Sequence, residues 1–424
     1  MSVFERCDFS PEWNQLCPEW YTDPDAPAPV GRWEFFSYKH TAACGETVIV
    51  KAKYFEHDSI VNGAAAEIEI SPEFAASRVI TATTLSTGIQ IPVTMDKPGF
   101  VRIRCSANGT DGFYGIGFDI EEIKAAPEVD DFDEYWQRQL KRLAGVPADI
   151  LEYSHLDFPD YPGTTSYNVR IRCVDDIPVS GILSMPENPG PRSLPAYLFM
   201  HGAGIRPPFP PLTWAKHGLL AFNISALGLR YGMDETYMQK ELKHWEGYSS
   251  IRSTDPEKIP FTAMALRVVR ALEYLKSRPE WDGRTLIVHG GSQGGWQSLV
   301  AAGLDHDVTY AQIEAPANCN LLGALEGRKV VWPGTVHPEE GLSAENRTCG
   351  YFDGAVFGRR AKAPAVFTVG YSDAAATPSS VCAAYNAYGG EAHLWTFPDL
   401  GHEAAVFHSG EKLILEAAGK IRRK

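Results

Sequence analysis

A glycine-rich segment around Ser292 has the residue types of a nucleophilic serine. Residues 286–295 read Leu-Ile-Val-His-Gly-Gly-Ser-Gln-Gly-Gly, so Gly290, Ser292 and Gly294 form a G-x-S-x-G pattern. The apolar run before it predicts a strand, and residues 296–303 predict a helix after it. In that setting the glycines permit a tight turn that exposes the serine hydroxyl, and the helix N-terminus points backbone N–H groups at a developing oxyanion. We interpret Ser292 as a nucleophile; a glycine-rich turn without chemistry is the alternative.

A carboxylate and a histidine follow Ser292 at the ends of predicted strands. A serine hydroxyl needs a base to take its proton, and the base needs a carboxylate to orient it. Asp373 follows one apolar strand, and His402 lies in the loop after the last strand. The order Ser292, Asp373, His402 is the order of the catalytic triad in α/β-hydrolases. We therefore predict that Asp373 is the acid and His402 the base.

Three other residues compete for these roles. Asp399 lies three residues before His402, but a neighbour in a tight turn is poorly placed to reach the Nδ1 atom of that histidine. His201 begins a loop and His289 lies inside a strand, positions at which a histidine is more often packed or hydrogen-bonded than catalytic. Asp373 and His402 remain the favoured pair.

Two backbone N–H groups are expected to form an oxyanion hole. One is that of Gln293, directly after the nucleophile. The other is that of Ala203, in the His-Gly-Ala-Gly loop at 201–204, where glycines let the backbone approach a substrate. The glycines of this loop also fit a tight turn without a catalytic role.

The elements that must position these residues alternate between strand and helix. Continuous apolar runs, typical of parallel strands covered on both faces, occur at Pro195–Met200, Leu219–Ile224, Thr285–His289, Gln312–Ala315, Ala365–Gly370 and His393–Phe397. A helix is predicted over Phe261–Lys276. Residues 151–424 are therefore expected to form an α/β catalytic domain with a mostly parallel, doubly wound sheet.

The N-terminal part of the chain has a different pattern. Residues 1–30 are rich in proline and predict an extended arm. Residues 31–126 contain short strands separated by Asn-Gly, Pro-Gly and Asp-Gly turns, which predicts a small immunoglobulin-like β-sandwich. Residues 127–150 predict a linker helix that Asp131 caps, with Glu134 three residues on.

Composition excludes several classes of function. The chain has 424 residues, 44% of them apolar, and 39 Lys plus Arg against 53 Asp plus Glu, which gives a net charge of -14 with histidine neutral. Nucleic acid binding needs clustered basic residues, so we expect no nucleic acid partner; a neutral or sugar-like ligand fits better. No apolar run is long enough to span a membrane, and we expect no membrane partner.

The cysteines and the first residues bear on metal sites and location. Eight cysteines are scattered without a Cys-x-x-Cys pair, which argues against zinc and redox motifs and favours free thiols. The first twenty residues lack a basic stretch followed by an apolar run, so we expect a cytoplasmic protein; a periplasmic or secreted location is the alternative if a signal peptide has been removed.

Several segments together resemble one family of esterases. They are Gly-Gly-Ser292-Gln-Gly-Gly, the Asp373 loop running into Thr377-Pro-Ser-Ser380, Gly401-His402-Glu403, Asp131-Phe-Asp-Glu-Tyr-Trp136 and Gly350-Tyr-Phe-Asp353. Over residues 130–420 the chain resembles the acetylxylan esterase and cephalosporin-C deacetylase family, carbohydrate esterase family seven of the α/β-hydrolase superfamily.

The resemblance implies a serine esterase that removes acetyl or other short acyl groups from carbohydrates through an acyl-enzyme. It implies the same roles for Ser292, Asp373, His402, Gln293 and Ala203, an acetylated oligo- or polysaccharide as substrate, and no metal or organic cofactor. A homo-oligomer is left open. Three tryptophans in irregular stretches are candidates to stack on a sugar ring, with loop packing as the alternative: Trp214, Trp245 and Trp332.

The sequence departs from the family pattern at three places. The family has a tyrosine where this chain has Ala203, which predicts a wider acyl pocket. The family's Arg-Gly-Gln motif falls at Leu227-Gly-Leu229, and the β-sandwich is not part of the minimal family fold.

Two other functions remain open. An acyl-CoA thioesterase or acyltransferase, or an oligopeptidase, would share the architecture, although thioesterase relatives commonly have cysteine at the position of Ser292. The other is a carbohydrate-binding protein without catalytic activity. The presence of all three predicted triad residues argues against it.

Overall fold

The computed structural model describes residues 31–405 and 410–421, so the predicted arm at residues 1–30 lies outside the described residues. Two units follow each other along the chain. The first contains two facing β-sheets within residues 31–118, which we call the sandwich. The second, the catalytic unit, surrounds a nine-stranded sheet.

Nine strands form the sandwich. They are β1 (Gly31–Phe36), β2 (Thr41–Ala42), β3 (Val48–Glu56), β4 (Ser59–Ile60), β5 (Ala65–Pro72), β6 (Arg78–Thr83), β7 (Ile89–Val93), β8 (Gly99–Ala107) and β9 (Thr110–Phe118). One sheet has the order β1-β3-β4, with β7 on β3, and the other has the order β2-β9-β8-β5-β6. Along β3, Val48, Val50, Ala52 and Tyr54 alternate into a core between the two sheets, as a half-buried strand requires.

The outer face of the five-stranded sheet packs against the catalytic unit. The Phe100 ring contacts that of Tyr371 edge to face, with centroids 4.9 Å apart. The Gly115 N–H donates to the Pro398 carbonyl at 2.7 Å. One buried apolar cluster contains residues of both units. The part of this face around Phe100 and Gly115 is therefore covered by the catalytic unit.

Helix α1 (Phe132–Ala144) connects the two units. It buries Phe132, Tyr135, Trp136 and Leu143, which recur at helical spacing and form one apolar face. The expected cap is not formed: Asp131 makes no side-chain hydrogen bond to the helix. Its carboxylate instead accepts from Arg347 and from the Tyr351 hydroxyl, both at 2.7 Å. A charged guanidinium is a stronger partner than a backbone N–H.

The catalytic unit has nine strands in one sheet. They are β10 (Ile150–Leu156), β11 (Thr164–Ile171), β12 (Val179–Pro186), β13 (Leu194–Met200), β14 (Leu220–Ile224), β15 (Trp281–Gly291), β16 (Tyr310–Glu314), β17 (Ala365–Gly370) and β18 (Ala392–Phe397). Their order is β10-β11-β12-β14-β13-β15-β16-β17-β18. The pairs from β14 to β18 are parallel, whereas β10, β11 and β12 add to β14 as antiparallel strands. The sequence analysis missed β10, β11 and β12, because polar residues interrupt any continuous apolar run in these strands.

Helices cover both faces of this sheet. They are α2 (Leu212–Lys216), α3 (Glu235–His244), α4 (Pro260–Ser277), α5 (Gln293–Leu304), α6 (Ala344–Cys349), α7 (Gly354–Arg360), α8 (Pro378–Ala387) and α9 (Gly410–Ala417). Short 3₁₀ helices lie at Ile120–Glu122, Val174–Asp176, Tyr248–Ser250, Pro256–Lys258, Leu321–Glu326, Pro338–Glu340, Gly350–Phe352 and His402–Ala405. Apolar residues of α1, α4, α5 and α7 pack in one cluster, and those of α2 and α9 pack in another. The predicted α/β class with a mostly parallel, doubly wound sheet is confirmed.

Two further predictions can be compared with the described residues. None of the helices within 31–405 and 410–421 combines the length and hydropathy needed to cross a bilayer. The six cysteines in these ranges are free thiols, five of them buried.

Candidate active site

Ser292 stands at the sharp turn between β15 and α5. Its backbone has φ 58° and ψ -121°, a conformation that residues other than glycine rarely adopt. A Cβ atom on Gly290 would lie 2.6 Å from the Met200 carbonyl oxygen, and one on Gly294 would lie 2.0 Å from that same oxygen. The turn therefore needs glycine at both positions, because the neighbouring backbone fills the space of a side chain.

The structure brings Ser292, His402 and Asp373 into one hydrogen-bonded chain. The Ser292 hydroxyl lies 2.9 Å from Nε2 of His402, and Nδ1 of His402 lies 2.7 Å from Oδ2 of Asp373. The Asp373 side chain is fully buried, and that of His402 is 20% exposed. In the neutral imidazole, Nδ1–H donates to the carboxylate and Nε2 accepts the hydrogen bond of the serine hydroxyl. This is the geometry of a serine nucleophile with its base and acid.

The loop that carries Asp373 holds the carboxylate in a fixed orientation. Oδ1 of Asp373 accepts from the N–H groups of Ala375 at 2.8 Å and Ala376 at 3.0 Å, which leaves Oδ2 to His402. The N–H of Ser372 donates to the Leu400 carbonyl at 3.0 Å, so the acid loop and the histidine loop are also joined through their backbones. Asp399 is exposed, and the Nδ1 atom of His402 faces Asp373 instead.

The two expected oxyanion donors lie on adjacent elements. Gln293 is the first residue of α5, where the helix dipole favours negative charge. Ala203 lies in the loop after β13, and β13 pairs with β15 so that Met200 is opposite Gly290. The parallel register therefore brings the Ala203 loop beside the serine turn.

His201 holds the Ala203 loop in place through two hydrogen bonds to backbone groups. Its Nδ1–H donates to the Gly202 carbonyl at 2.6 Å, and its Nε2 accepts from the Ala226 N–H at 3.1 Å. Complete burial lowers the pKa of His201 to about 4, so the ring is neutral at neutral pH. Both ring nitrogens are used in holding backbone, which fits a structural histidine.

Tyr248 is a site residue that the sequence analysis missed. Its hydroxyl accepts from the Gly204 N–H at 3.0 Å and donates to Oε1 of Gln293 at 2.8 Å. Burial raises the pKa of Tyr248, which keeps the hydroxyl protonated as the donor to Gln293. Tyr248 thus ties the oxyanion loop to the residue after the nucleophile. Its place in a 3₁₀ turn about 45 residues away in sequence gives no signal of this role.

His289 lies three residues before Ser292 but points into the interior. Its Nδ1 lies 2.6 Å from the Tyr197 hydroxyl, and its Nε2 lies 3.3 Å from Oε1 of Glu314. All three side chains are buried below the sheet edge that carries the triad. His289 is therefore part of the core, as expected for a histidine inside a strand.

The three tryptophans proposed to contact sugar are in different surroundings. Trp214 is buried, with its ring centroid 4.6 Å from that of Tyr197, so the structure does not bring it to the site. Trp245 is half-buried and donates to Glu241 at 3.2 Å. Trp332 is half-buried, and its backbone N–H donates to the Ala375 carbonyl at 3.3 Å, next to the acid loop. The expectation for Trp214 was wrong because α2 turns its ring onto the sheet.

One group among the described residues has spacing suited to a metal ion, and it lies apart from the triad. It consists of His337, Glu339 and Glu340. Arg252 already pairs with Glu340, and its Nη1 atom lies 3.0 Å from Oε1 of the carboxylate. The hydrogen bond from Arg252 lowers the pKa of Glu340 to about 2. An ion pair is a sufficient explanation for this cluster.

The chain is similar to known acetyl esterases over most of its length. A family model described as acetyl xylan esterase (AXE1) matches residues 119–330 and 334–416. The acetyl esterase Axe7A of Xylanibacter ruminicola is 29% identical over 329 residues, which is 75% of this chain and 74% of that protein.

Solved structures give the same comparison. The acetyl xylan esterase from Paenibacillus sp. R4 superposes with a TM-score of 0.60 at 25% identity, covering 70% of this chain and 98% of that one. Acetyl xylan esterase 1 from Thermoanaerobacterium sp. JW/SL YS485 superposes with a TM-score of 0.59 at 21% identity, covering 71% of this chain and 97% of that one. At this identity the similarity is evidence for the fold alone. The expected α/β-hydrolase fold is confirmed.

Proposed function

Because the chain belongs to the acetyl xylan esterase family and is a carboxylic ester hydrolase, we propose that it removes acetyl groups from the hydroxyls of a carbohydrate through an acyl-enzyme on Ser292. The observation that carries the mechanism is the hydrogen-bonded chain from Ser292 through His402 to Asp373, with distances of 2.9 and 2.7 Å. These are hydrogen-bond distances suited to proton transfer.

In the first half-reaction the Ser292 oxygen attacks the ester carbonyl carbon while Nε2 of His402 takes the serine proton. The carbonyl oxygen becomes an oxyanion, which the N–H groups of Gln293 and Ala203 stabilise. Collapse of this intermediate breaks the bond to the sugar oxygen, and His402 returns the proton to that oxygen. The sugar leaves with a free hydroxyl, and acetate remains as an ester on Ser292.

In the second half-reaction water replaces the sugar. His402 takes a proton from the water, the hydroxide attacks the acetyl carbon, and the proton returns to the Ser292 oxygen as acetate departs. Asp373 keeps Nδ1 of His402 protonated and stabilises the imidazolium in both halves. The reaction needs His402 neutral at the start of each half, because only the neutral imidazole accepts a proton.

Several observations support a carbohydrate as the alcohol component. Axe7A of Xylanibacter ruminicola is an acetyl esterase, and the similar Paenibacillus protein is an acetyl xylan esterase. A chain with a net charge of -14 also suits a neutral substrate better than a polyanion. Trp332, beside the acid loop, and Trp245, at the end of α3, are the tryptophans that we retain as proposed sugar contacts.

The test combines one variant with a substrate panel. We expect wild-type protein to release acetate from acetylated xylan and simple acetylated sugars, and Ser292→Ala to fold normally while losing several orders of magnitude in kcat on an aryl acetate. Aryl propionate and butyrate measure how much room Ala203 leaves for a longer acyl chain. Wild-type hydrolysis of an acyl-CoA or a peptide in preference to every acetylated sugar would refute the substrate class.

A further inference from the structure

A cavity of about 300 Å³ lies between the sandwich and the catalytic unit. The outer face of the sandwich sheet supplies Arg102 and Glu73 to its wall, and the catalytic unit supplies Lys329, Thr377 and Ser379. This volume is at the lower end of the range for small-molecule sites, about 300–1,000 Å³. We call it the interdomain cavity.

The interdomain cavity touches the catalytic acid loop. Asp373 and Ala374 belong to its wall, while Oδ2 of the same Asp373 accepts the hydrogen bond from His402 on the way to Ser292. A molecule in the cavity is therefore separated from the triad by the thickness of this one loop.

The wall offers hydrogen-bond donors and acceptors together. The half-buried Arg102 guanidinium supplies donors, and the hydroxyls of Ser71 and Ser77 both donate and accept. The Glu73 carboxylate is already held by Ser379 at 2.6 Å and Arg328 at 3.5 Å. The Arg102 guanidinium rests on the Phe113 ring, 4.5 Å from its centroid, which fixes its plane.

Such a wall suits a sugar better than an apolar or an ionic ligand. A sugar hydroxyl both donates and accepts, so one ring accepts from the Arg102 guanidinium and exchanges hydrogen bonds with the serine hydroxyls of the wall. A hydrogen bond from a charged group is stronger than one between neutral groups. Cationic and acidic side chains are both present on the wall, which gives no preference for an ion of either sign.

We propose that the interdomain cavity is a sugar subsite, which holds a unit of the carbohydrate chain next to the acetylated unit at Ser292. The proposal rests on the proposed function, because it requires a carbohydrate ester as substrate. It gives the sandwich a part in substrate binding and makes longer chains better substrates than acetylated monosaccharides.

The experiment compares acetylated xylotetraose with 4-nitrophenyl acetate, which is too small to reach the cavity from Ser292. The measured quantity is the ratio of kcat/KM for the two substrates. Arg102→Gln should lower this ratio about tenfold, the usual loss for a hydrogen bond from a charged group, mainly by raising KM for the tetrasaccharide. Lys329→Gln, on the opposite wall and exposed, should lower it in the same direction.

Arg104→Gln is the matched control. Arg104 lies two residues along β8 on the same face, outside the cavity, and pairs with Asp111 at 2.9 Å. The ratio should stay at its wild-type value in this variant. A ratio unchanged in both Arg102→Gln and Lys329→Gln, or lowered equally in Arg104→Gln, overturns the subsite.

A binding measurement separates this proposal from the proposed function. Unacetylated xylotetraose is titrated into Ser292→Ala protein by calorimetry, with and without Arg102→Gln. Binding that Arg102→Gln weakens about tenfold supports the subsite, and binding that it leaves unchanged overturns it. If the proposed function itself fails, wild-type protein hydrolyses 4-nitrophenyl acetate but releases no acetate from acetylated xylotetraose or any acetylated sugar.

Discussion

Gly115→Ala, a substitution in the sandwich, should reduce catalysis by the triad in the catalytic unit. Gly115 lies in β9, and a Cβ atom there would be 2.4 Å from Cβ of Tyr371 and 2.6 Å from its carbonyl oxygen. Tyr371 precedes Asp373 by two residues. The Gly115 N–H also donates to the carbonyl of Pro398, which precedes His402 by four residues. One strand of the sandwich thus contacts both loops of the catalytic pair.

The overlap gives the size of the effect. Ordinary contact begins near 3.4 Å, so Gly115→Ala must separate β9 from Tyr371 by about 1 Å. A displacement of that size at the acid loop breaks hydrogen bonds of 2.7 and 2.9 Å in the triad. Misplacing catalytic groups by about 1 Å costs about 100-fold in rate. We expect kcat to fall by about 10- to 100-fold, and stability by about 1–3 kcal/mol from overpacking.

A second glycine in the same strand separates catalysis from stability. A Cβ atom on Gly112 would lie 2.4 Å from Cβ of Trp33, an equal overlap that stays inside the sandwich. Gly112→Ala should lose a similar amount of stability and keep near wild-type kcat. The assay is kcat on an aryl acetate, with the folded fraction taken from thermal unfolding and the reactive serine counted by fluorophosphonate labelling.

The reasoning is refuted if the two alanine variants have the same kcat per folded molecule. It is also refuted if Gly115→Ala raises KM for the aryl acetate without changing kcat, because displacement of the triad acts on the chemical step. A loss of kcat confined to Gly115→Ala identifies the sandwich as a support for the acid and histidine loops.

Three further predictions concern the site itself. Asp373→Asn should lose about 10⁴-fold in kcat through the wrong histidine tautomer, whereas Asp399→Asn should be mild; the opposite ranking by steady-state kinetics would make Asp399 the acid. Tyr248→Phe should lower kcat by about tenfold by releasing Gly204 and the Gln293 amide, with little change in melting temperature, and an unchanged kcat would contradict its positioning role. Burial lowers the pKa of His201 to about 4, below the value near 6.5 of an unfolded histidine. The unfolded chain therefore takes up the proton first, and stability that is complete above pH ~6.5 is lost, by about 3 kcal/mol, as the pH falls to about 4. Urea unfolding across this range should show a shallower loss in His201→Gln than in wild type, and parallel curves would exclude this source.

The sequence by itself indicated Ser292 as the nucleophile and located the parallel strands along the chain. The turn at Ser292 depends on Gly290 and Gly294, which act over a few residues, so a local pattern specifies it. Strands β13, β14, β16 and β17 and the second half of β15 are buried on both faces and therefore read as largely apolar runs. Strand β18, at the sheet edge, is half-exposed. Asp373 and His402 were predicted because strand ends at one sheet edge must converge.

Tertiary structure decided the contacts that join distant segments. Tyr248 reaches Gln293 and Gly204, Gly115 reaches Tyr371, and Arg102 faces the acid loop, although none of these pairs is close in sequence. Each contact depends on how one element packs on another. Such a contact produces no periodic pattern in the sequence from which it could be predicted.

The surroundings of Trp214 and Asp131 were also decided by the tertiary structure. A tryptophan in a loop and one in the core have the same side chain, and only the path of α2 shows that Trp214 packs on Tyr197. Asp131 had the right spacing for a helix cap, but Arg347, more than 200 residues away, offers its carboxylate a charged partner. Local sequence specifies what a residue is able to do within its own turn or strand; which of those interactions forms depends on the groups that folding brings within hydrogen-bond distance.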